Sequence, residues 1–367
     1  MQELRINGGQ KLSGAVTVSG AKNAALPALA ATLLVEGKTT LNNMPRVRDV
    51  FSMCNLLESL GAVVTIDNTT ITVDSTNVNQ WRAPHDLVRK MRASVLVMGP
   101  LLARFGRAEV ALPGGCTIGN RPINMHINAM RMMGAETQLL KGDEHITCKE
   151  MTGKRIHFDR PTVTGTENVM MAATAASGVT ILENAAREPE IICLANLLSK
   201  MGATIRGAGT GTIEIEGQHT LHSAEHSVIA DRIEAGTYAV AAPMTGGNIR
   251  LNGIDPRMIA SLLSKMREAG VQITEYSDAI EVKGEPPFRP VDITTAEYPG
   301  FPTDLQAQFM AMMCLSDGKS VVTENIFEDR FKHVPELNRL GGDIVIRGRN
   351  AFIRGVDHLS GAAVTAS

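Results

Sequence analysis

Aromatic residues are scarce in this chain. Among 367 residues there are one Trp and three Tyr, and Phe, Trp and Tyr together make up 4%. The core must therefore be packed by Leu, Ile, Val, Ala and Met, and Met is abundant at 19. Few rings leave little with which to stack bases, and a net charge of −2 supplies no basic surface. Together these argue against a nucleic-acid partner. Cysteine is sparse as well. The five, Cys54, Cys116, Cys148, Cys193 and Cys314, are odd in number, widely spaced and never in a CxxC pair. That disfavours a disulfide framework or a zinc cluster and fits a reducing cytoplasm. Long apolar runs are missing. The stretch Ala24 to Val35 has 12 residues and contains Pro27, too short to span a bilayer. The opening Met-Gln-Glu-Leu-Arg-Ile does not read as a signal peptide. No HExxH, Walker A or GxSxG motif occurs.

What the chain does carry is a repeat. Five segments run from an apolar helical stretch through Gly and a small residue into a β-branched strand. They are LLESLGAVVTI at Gly61, AMRMMGAETQL at Gly134, LLSKMGATIRG at Gly202, LSKMREAGVQIT at Gly270 and ELNRLGGDIVI at Gly341. The glycines are 73, 68, 68 and 71 residues apart, and each reads as a left-handed helix stop. A second series lies between them: small-residue apolar helices that end near Gly37, Gly106, Gly178, Gly246 and Gly318 and lead into strands. Helices rich in Ala, Gly and Met suit a domain interior, where backbones approach closely. One unit of roughly 70 residues therefore reads strand, buried helix, strand, amphipathic helix, strand, strand. Five units are complete. Leu359-Ser360-Gly361-Ala362 repeats the opening Leu12-Ser13-Gly14-Ala15. A sixth unit thus begins and breaks off about 44 residues short on the repeat arithmetic. Without it, an unpaired face is expected.

The buried helices recur in one orientation within each unit, so their N-termini are expected to face one side of each domain. Helix N-termini carry partial positive charge and free N–H groups. Lys22 and Arg92 stand at two such starts, which points to an anionic substrate, a phosphate or a carboxylate. The segment Pro113-Gly114-Gly115-Cys116-Thr117-Ile118-Gly119-Asn120-Arg121-Pro122 is the most informative. Its glycines mark an exposed loop. Cys54, Cys193, Cys314 and Cys148 read as buried, inert thiols. Cys116 does not: a loop thiol near Arg121 has a lowered pKa and can act as a nucleophile or an acid. Asp304, in Phe301-Pro302-Thr303-Asp304, reads either as a helix cap or first-turn acid or as a general base, and sequence physics favours the former. Asp231 has the same position one repeat earlier and the same ambiguity. Glu188-Pro189-Glu190 is an acidic turn with no signal of its own. Gly207-Ala208-Gly209-Thr210-Gly211 lies between two strands and reads as a hairpin turn, not a dinucleotide loop.

At these motifs the chain resembles the enolpyruvyl transferases, and among them those that act on UDP-N-acetylglucosamine. The resemblance covers essentially all of it. The segments that carry it are Ser19-Gly20-Ala21-Lys22-Asn23-Ala24, Met91-Arg92-Ala93-Ser94, Leu112-Pro113-Gly114-Gly115-Cys116-Thr117-Ile118-Gly119, Glu183-Asn184-Ala185-Ala186-Arg187-Glu188-Pro189-Glu190, Asp231-Arg232-Ile233-Glu234 and Phe301-Pro302-Thr303-Asp304-Leu305-Gln306-Ala307-Gln308. It implies an α/β fold: a two-domain inside-out α/β barrel of repeated βαβαββ units. One domain would span 22–229, and the other 1–21 with 230–367, with a cleft that closes over substrates.

The implied reaction moves the enolpyruvyl group of phosphoenolpyruvate to the 3′-hydroxyl of UDP-N-acetylglucosamine and releases phosphate. This is the first committed step of peptidoglycan precursor synthesis, and so belongs to cell-wall biogenesis, cell shape and division. It is a cytoplasmic reaction that needs no metal or organic cofactor, and a monomer is expected. By resemblance, Lys22, Asn23 and Arg121 hold phosphoenolpyruvate. Cys116 donates the proton, can form a phospholactoyl adduct and is the target of fosfomycin. Asp304 takes the hydroxyl proton. The nucleotide sugar is contacted by Arg92, Arg121, Pro122, Ile123, Asn124, Met125, Arg160, Pro161, Thr162, Val163, Asp304 and Ile326, with Arg330 nearby.

Two departures stand out. Family members often have Ser-Val-Gly-Ala-Thr where this chain has Thr162-Val163-Thr164-Gly165-Thr166. The family also continues past this point with an Asp-Leu-Arg segment and a further arginine that line the phosphoenolpyruvate site. A chain without them is expected to be inactive or very weak. Two other readings are a nucleotide-sugar-binding form without activity and a transferase acting on shikimate 3-phosphate. The Cys116 loop, which that second type lacks, counts against it.

Overall fold

All five predicted helix stops are glycines in the left-handed region: Gly61, Gly134, Gly202, Gly270 and Gly341 have φ between +95° and +108°. Each ends an amphipathic helix. Arg48–Ser59, for example, buries Val50, Met53, Cys54, Leu56 and Leu57 and exposes its other face. The interleaved helices differ. Lys22–Ala31 is buried from Ala24 to its end, and Val163–Ala173 from Gly165 to its end. The computed structural model describes residues 3–111, 123–140, 142–217 and 220–365.

Close approach of the buried helices sets their composition. A Cβ on Gly99, in helix Met98–Phe105, would lie 2.3 Å from the Asn168 carbonyl oxygen of helix Val163–Ala173. Only glycine fits there. The second series ends in left-handed glycines at Gly37, Gly106, Gly178 and Gly246 but not at Gly318.

Among the described residues the strands form four sheets of four strands and one of three. The four share one plan. A lead strand runs parallel to a central strand, which pairs antiparallel with a hairpin. In one, Arg155–His157 pairs with Val179–Glu183, followed by Thr212–Glu216 and Thr204–Arg206. The turn of that hairpin is Gly207 to Gly211, where the Thr210 amide donates to the Gly207 carbonyl at 3.0 Å. In the three-stranded sheet of Arg107–Ala111, Asp143–Thr147 and Glu136–Leu140, a single parallel bridge from Arg82 to Glu109 takes the lead-strand place.

Two sheets exchange their lead strands. Ser13–Thr17 precedes the helix Lys22–Ala31 but pairs with Asn248–Asn252, Val16 lying opposite Leu251. Glu225–Ser227 precedes the helix Arg232–Met244 but pairs with Lys38–Asn42, His226 lying opposite Leu41. The chain accordingly forms two compact bodies. A continuous body holds the described residues between Ser19 and Ala230, and a split body holds those of Met1–Val18 and Asp231–Ser367. The continuous body contains three of the repeated sheets and the split body two.

Candidate active site

In the continuous body, Lys22 opens the helix Lys22–Ala31, preceded by Ala21, which has no side chain able to cap it. The Lys22 ammonium lies 3.3 Å from the Asp49 carboxylate, both near 40% exposed (43% and 40%). A pair this wet contributes little to stability, so Lys22 can exchange Asp49 for a stronger anion. Asn23 follows it, exposed, in the same first turn.

Thr162 caps Val163–Ala173, its Oγ1 accepting from the Gly165 amide at 3.2 Å. A Cβ at Gly165 would come within 2.4 Å of the Thr162 methyl, so a larger residue there would displace the capping side chain. The Thr162-Val163-Thr164-Gly165 departure thus builds a normal helix start. Arg160 and Pro161 precede it, and Asn124 and Met125 open the helix Asn124–Met132 behind Ile123. Arg92 opens the turn Arg92–Val97. The Arg92 side chain, with Cys116, Arg121 and Pro122, lies outside the described residues.

A buried polar network joins these starts. The Asn168 amide nitrogen donates to the Val95 carbonyl at 2.8 Å and to His126 Nδ1 at 3.1 Å, and its oxygen accepts from the Gly99 amide at 2.6 Å. With Nδ1 accepting, the His126 proton sits on Nε2, which faces Thr164 Oγ1 at 3.4 Å. Nothing in the sequence singled out His126 or Asn168. The available signal was a pair of polar residues on otherwise apolar helix faces.

Glu167 was also missed. It is 1% exposed, and its Oε1 has no hydrogen-bond partner among the described residues. Burial, then the Glu190 and Glu188 carboxyls, push it well above its ordinary 4.5. The folded protein therefore binds a proton that the unfolded chain releases. That stabilisation is complete below about pH 4.5 and is lost as pH rises through the folded value. Thermal melts from about pH 5 to about pH 8 should show the parent losing stability relative to Glu167→Gln as pH rises. Parallel curves would contradict this.

In the split body, Asp231 and Asp304 part company. Asp231 caps Arg232–Met244, accepting from the Ile233 and Glu234 amides at 2.8 and 3.1 Å. Asp304 makes no capping bond among the described residues; it is the acidic residue of a first turn, one of the two forms of the reading favoured from sequence. The cap position belongs to Pro302, and Asp304 falls inside the 3-10 turn Thr303–Leu305. Its carboxylate instead accepts from the Arg330 guanidinium at 2.5 Å, with 39% of the Asp304 side chain exposed. Ile326 lies on the loop between them, its amide bonded to Glu324.

The four described cysteines are buried. Burial pushes Cys54 up to about 12, and Cys193 and Cys314 up to about 11; Cys148 is raised as well. None is a thiolate near neutral pH.

A family model described as EPSP synthase (3-phosphoshikimate 1-carboxyvinyltransferase) matches residues 6–367. The chain belongs to the EPSP synthase family. Its relatives in that family include the UDP-N-acetylglucosamine 1-carboxyvinyltransferases of Magnetococcus marinus and Geobacter metallireducens. Each is 53% identical, over 369 and 367 residues respectively, covering 100% of this chain and 88% of the relative. Among solved structures, the enolpyruvyl transferase NikO from Streptomyces tendae superposes with a TM-score of 0.86 at 24% identity, covering 95% of this chain and 84% of that one. EPSP synthase from Acinetobacter baumannii gives 0.71 at 18% identity, covering 95% and 83%. The fold is that of the enolpyruvyl transferases, as repeat and resemblance led us to expect. Among the described residues no helix is long and apolar enough to cross a membrane.

Proposed function

We propose that the chain transfers the enolpyruvyl group of phosphoenolpyruvate to the 3′-hydroxyl of UDP-N-acetylglucosamine, with release of phosphate. The observation that carries the reading is 53% identity, across the whole chain, to curated UDP-N-acetylglucosamine 1-carboxyvinyltransferases. The EPSP synthase that shares the fold is 18% identical.

In this reading Lys22, Asn23 and Arg121 bind the phosphate and carboxylate of phosphoenolpyruvate. Cys116 protonates the vinyl CH2 carbon, and the neighbouring carbon becomes an oxocarbenium-like electrophile. Asp304 takes the proton of the sugar 3′-hydroxyl as its oxygen forms the new C–O bond. The tetrahedral intermediate then loses a methyl proton and the phosphate, and the vinyl group is restored. Cations around a trianionic substrate offset the charge it brings. The sugar nucleotide is held by Arg92, Ile123, Asn124, Met125, Arg160, Pro161, Thr162, Val163 and Ile326, with Arg121 and Pro122. The Lys22–Asp49 contact supports this assignment, since an ion pair this exposed is weak and a more highly charged anion can displace the Asp49 carboxylate. The reaction places the protein in cytoplasmic cell-wall precursor synthesis, acting as a monomer.

Calorimetry with UDP-N-acetylglucosamine, with and without phosphoenolpyruvate, tests it alongside phosphate release. Binding of the sugar nucleotide that tightens with phosphoenolpyruvate is the expected result. Binding of shikimate 3-phosphate in place of UDP-N-acetylglucosamine would overturn the proposal.

A further inference from the structure

Glu324 is 1% exposed and carries no ion pair among the described residues. Its carboxylate is satisfied by neutral donors from three directions. Oε1 accepts from Thr295 Oγ1 at 2.9 Å and from the Ile326 and Phe327 amides at 2.8 and 3.1 Å. Oε2 accepts from Thr303 Oγ1 at 2.8 Å and Gln306 Nε2 at 3.4 Å. One oxygen thus holds the loop that carries Ile326, and the other holds the residue directly before Asp304.

The repeat shows that the fold does not require this arrangement. Glu324 is the first residue after the central strand Lys319–Thr323. The same place after Lys38–Asn42, Val179–Glu183 and Asn248–Asn252 is taken by Asn43, Asn184 and Gly253, all left-handed at φ +56°, +54° and +80°. Glu324 is not. Asn43 and Asn184 each donate a side-chain hydrogen bond to the carbonyl of the residue opposite, Val228 and Phe158, at 2.8 Å. In the fifth unit the residue opposite is Thr295, and the bond runs the other way, from its hydroxyl to Glu324. The backbone bond that ends the parallel pairing is kept: Val228 to Asn42, Phe158 to Glu183 and Thr295 to Thr323 at 2.9, 3.1 and 2.9 Å. A left-handed Asn or Gly serves the fold at the three other described positions, and among these a buried carboxylate, expensive to desolvate, stands only where the Asp304 turn and the Ile326 loop meet.

We propose that Glu324 is a positioning residue, which fixes the direction of the Asp304 carboxylate through Thr303 and the Ile326 loop through its other oxygen. The inference rests on the reading of Asp304 as the base for the sugar hydroxyl. The two arms are separable. Thr303→Val cuts the link to Asp304 and leaves the carboxylate with its loop bonds. Thr303→Ser keeps the hydroxyl. Glu324→Gln keeps one carbonyl oxygen for the loop amides and places an NH2 against Thr303 and Gln306.

Thr303→Val and Glu324→Gln are expected to lower kcat by about 10- to 100-fold, the size of effect that misplacing a reacting group produces. KM for UDP-N-acetylglucosamine should change little, and Thr303→Ser should restore the rate. A lowered melting temperature with parental kcat in both variants, beside an inactive Asp304→Asn, would overturn the positioning role while leaving the base reading intact. A parental rate in Asp304→Asn would sink the base reading and this inference with it. If Glu324→Gln does not fold, the Thr303 pair decides alone.

Discussion

Asp304→Asn should lower phosphate release by roughly 10²- to 10⁴-fold, the usual worth of a positioned general base. It should leave UDP-N-acetylglucosamine bound. The change keeps shape and volume and removes only the negative charge and basicity of the carboxylate. It also removes no helix cap, because Asp304 bonds to Arg330 and to no backbone amide among the described residues. Stability should therefore move far less than rate. At Asp231 it is alanine that removes the oxygen capping two amides, so in Asp231→Ala the effect should fall on stability, by about 1 kcal/mol. The pair of variants, assayed for phosphate release and for melting temperature, separates a reacting carboxylate from a capping one. Loss of sugar-nucleotide binding in Asp304→Asn, with turnover per bound complex preserved, would show that Asp304 is a binding residue and no base.

Gly20→Ala is the structural counterpart, with an expected loss of about 3 kcal/mol. A Cβ at Gly20 would sit 1.7 Å from the Asn43 carbonyl oxygen and 2.9 Å from its carbon. Asn43 is itself left-handed and bonded to Val228, so that backbone cannot yield. Gly20 also bridges Ala230, and the neighbouring Ala21 amide donates to the Ile229 carbonyl at 2.7 Å. One methyl group therefore forces Gly20 away from Asn43, within the pairing that Gly20 makes with Ala230. The melting temperature should fall by roughly 6–12 °C if the affected body melts as one unit of about 200 residues. Gly361→Ala is the control. It has nothing within 4 Å of the added atom and no left-handed backbone, and should be near neutral. Equal melting temperatures for the two variants would contradict the argument.

What sequence made legible was local. A glycine stop needs only its own φ and the helix before it, and all five were read correctly. The buried thiols and the Gly207–Gly211 hairpin turn were read from flanking residues in the same way. Asp304 is the first-turn acid that its neighbours allowed and not the cap, because a 3-10 turn opens at Pro302 and puts the cap position two residues back, which composition does not reveal. The lead-strand exchange could not be read from periodicity, and only the split domain implied by the resemblance pointed towards it. Glu225–Ser227 has only three residues, too few for a period, and its partner is chosen by tertiary pairing. Glu324 looked like one more acidic residue after a strand. Only its place beside Asn43, Asn184 and Gly253 in the repeat marks it as different.

The exchanged strands also set an order on biosynthesis. The residue pair Asn42 and Glu225 is separated by 183 positions. At ordinary elongation rates the ribosome takes roughly 10 to 40 s to cover such a distance. Throughout that time the edge of Lys38–Asn42 lacks its native neighbour, and Ser13–Thr17 waits longer still for Asn248–Asn252. The sheet around Lys38–Asn42 is therefore completed only once the last residues of the continuous body have been made, and that body cannot close before Glu225–Ser227 emerges.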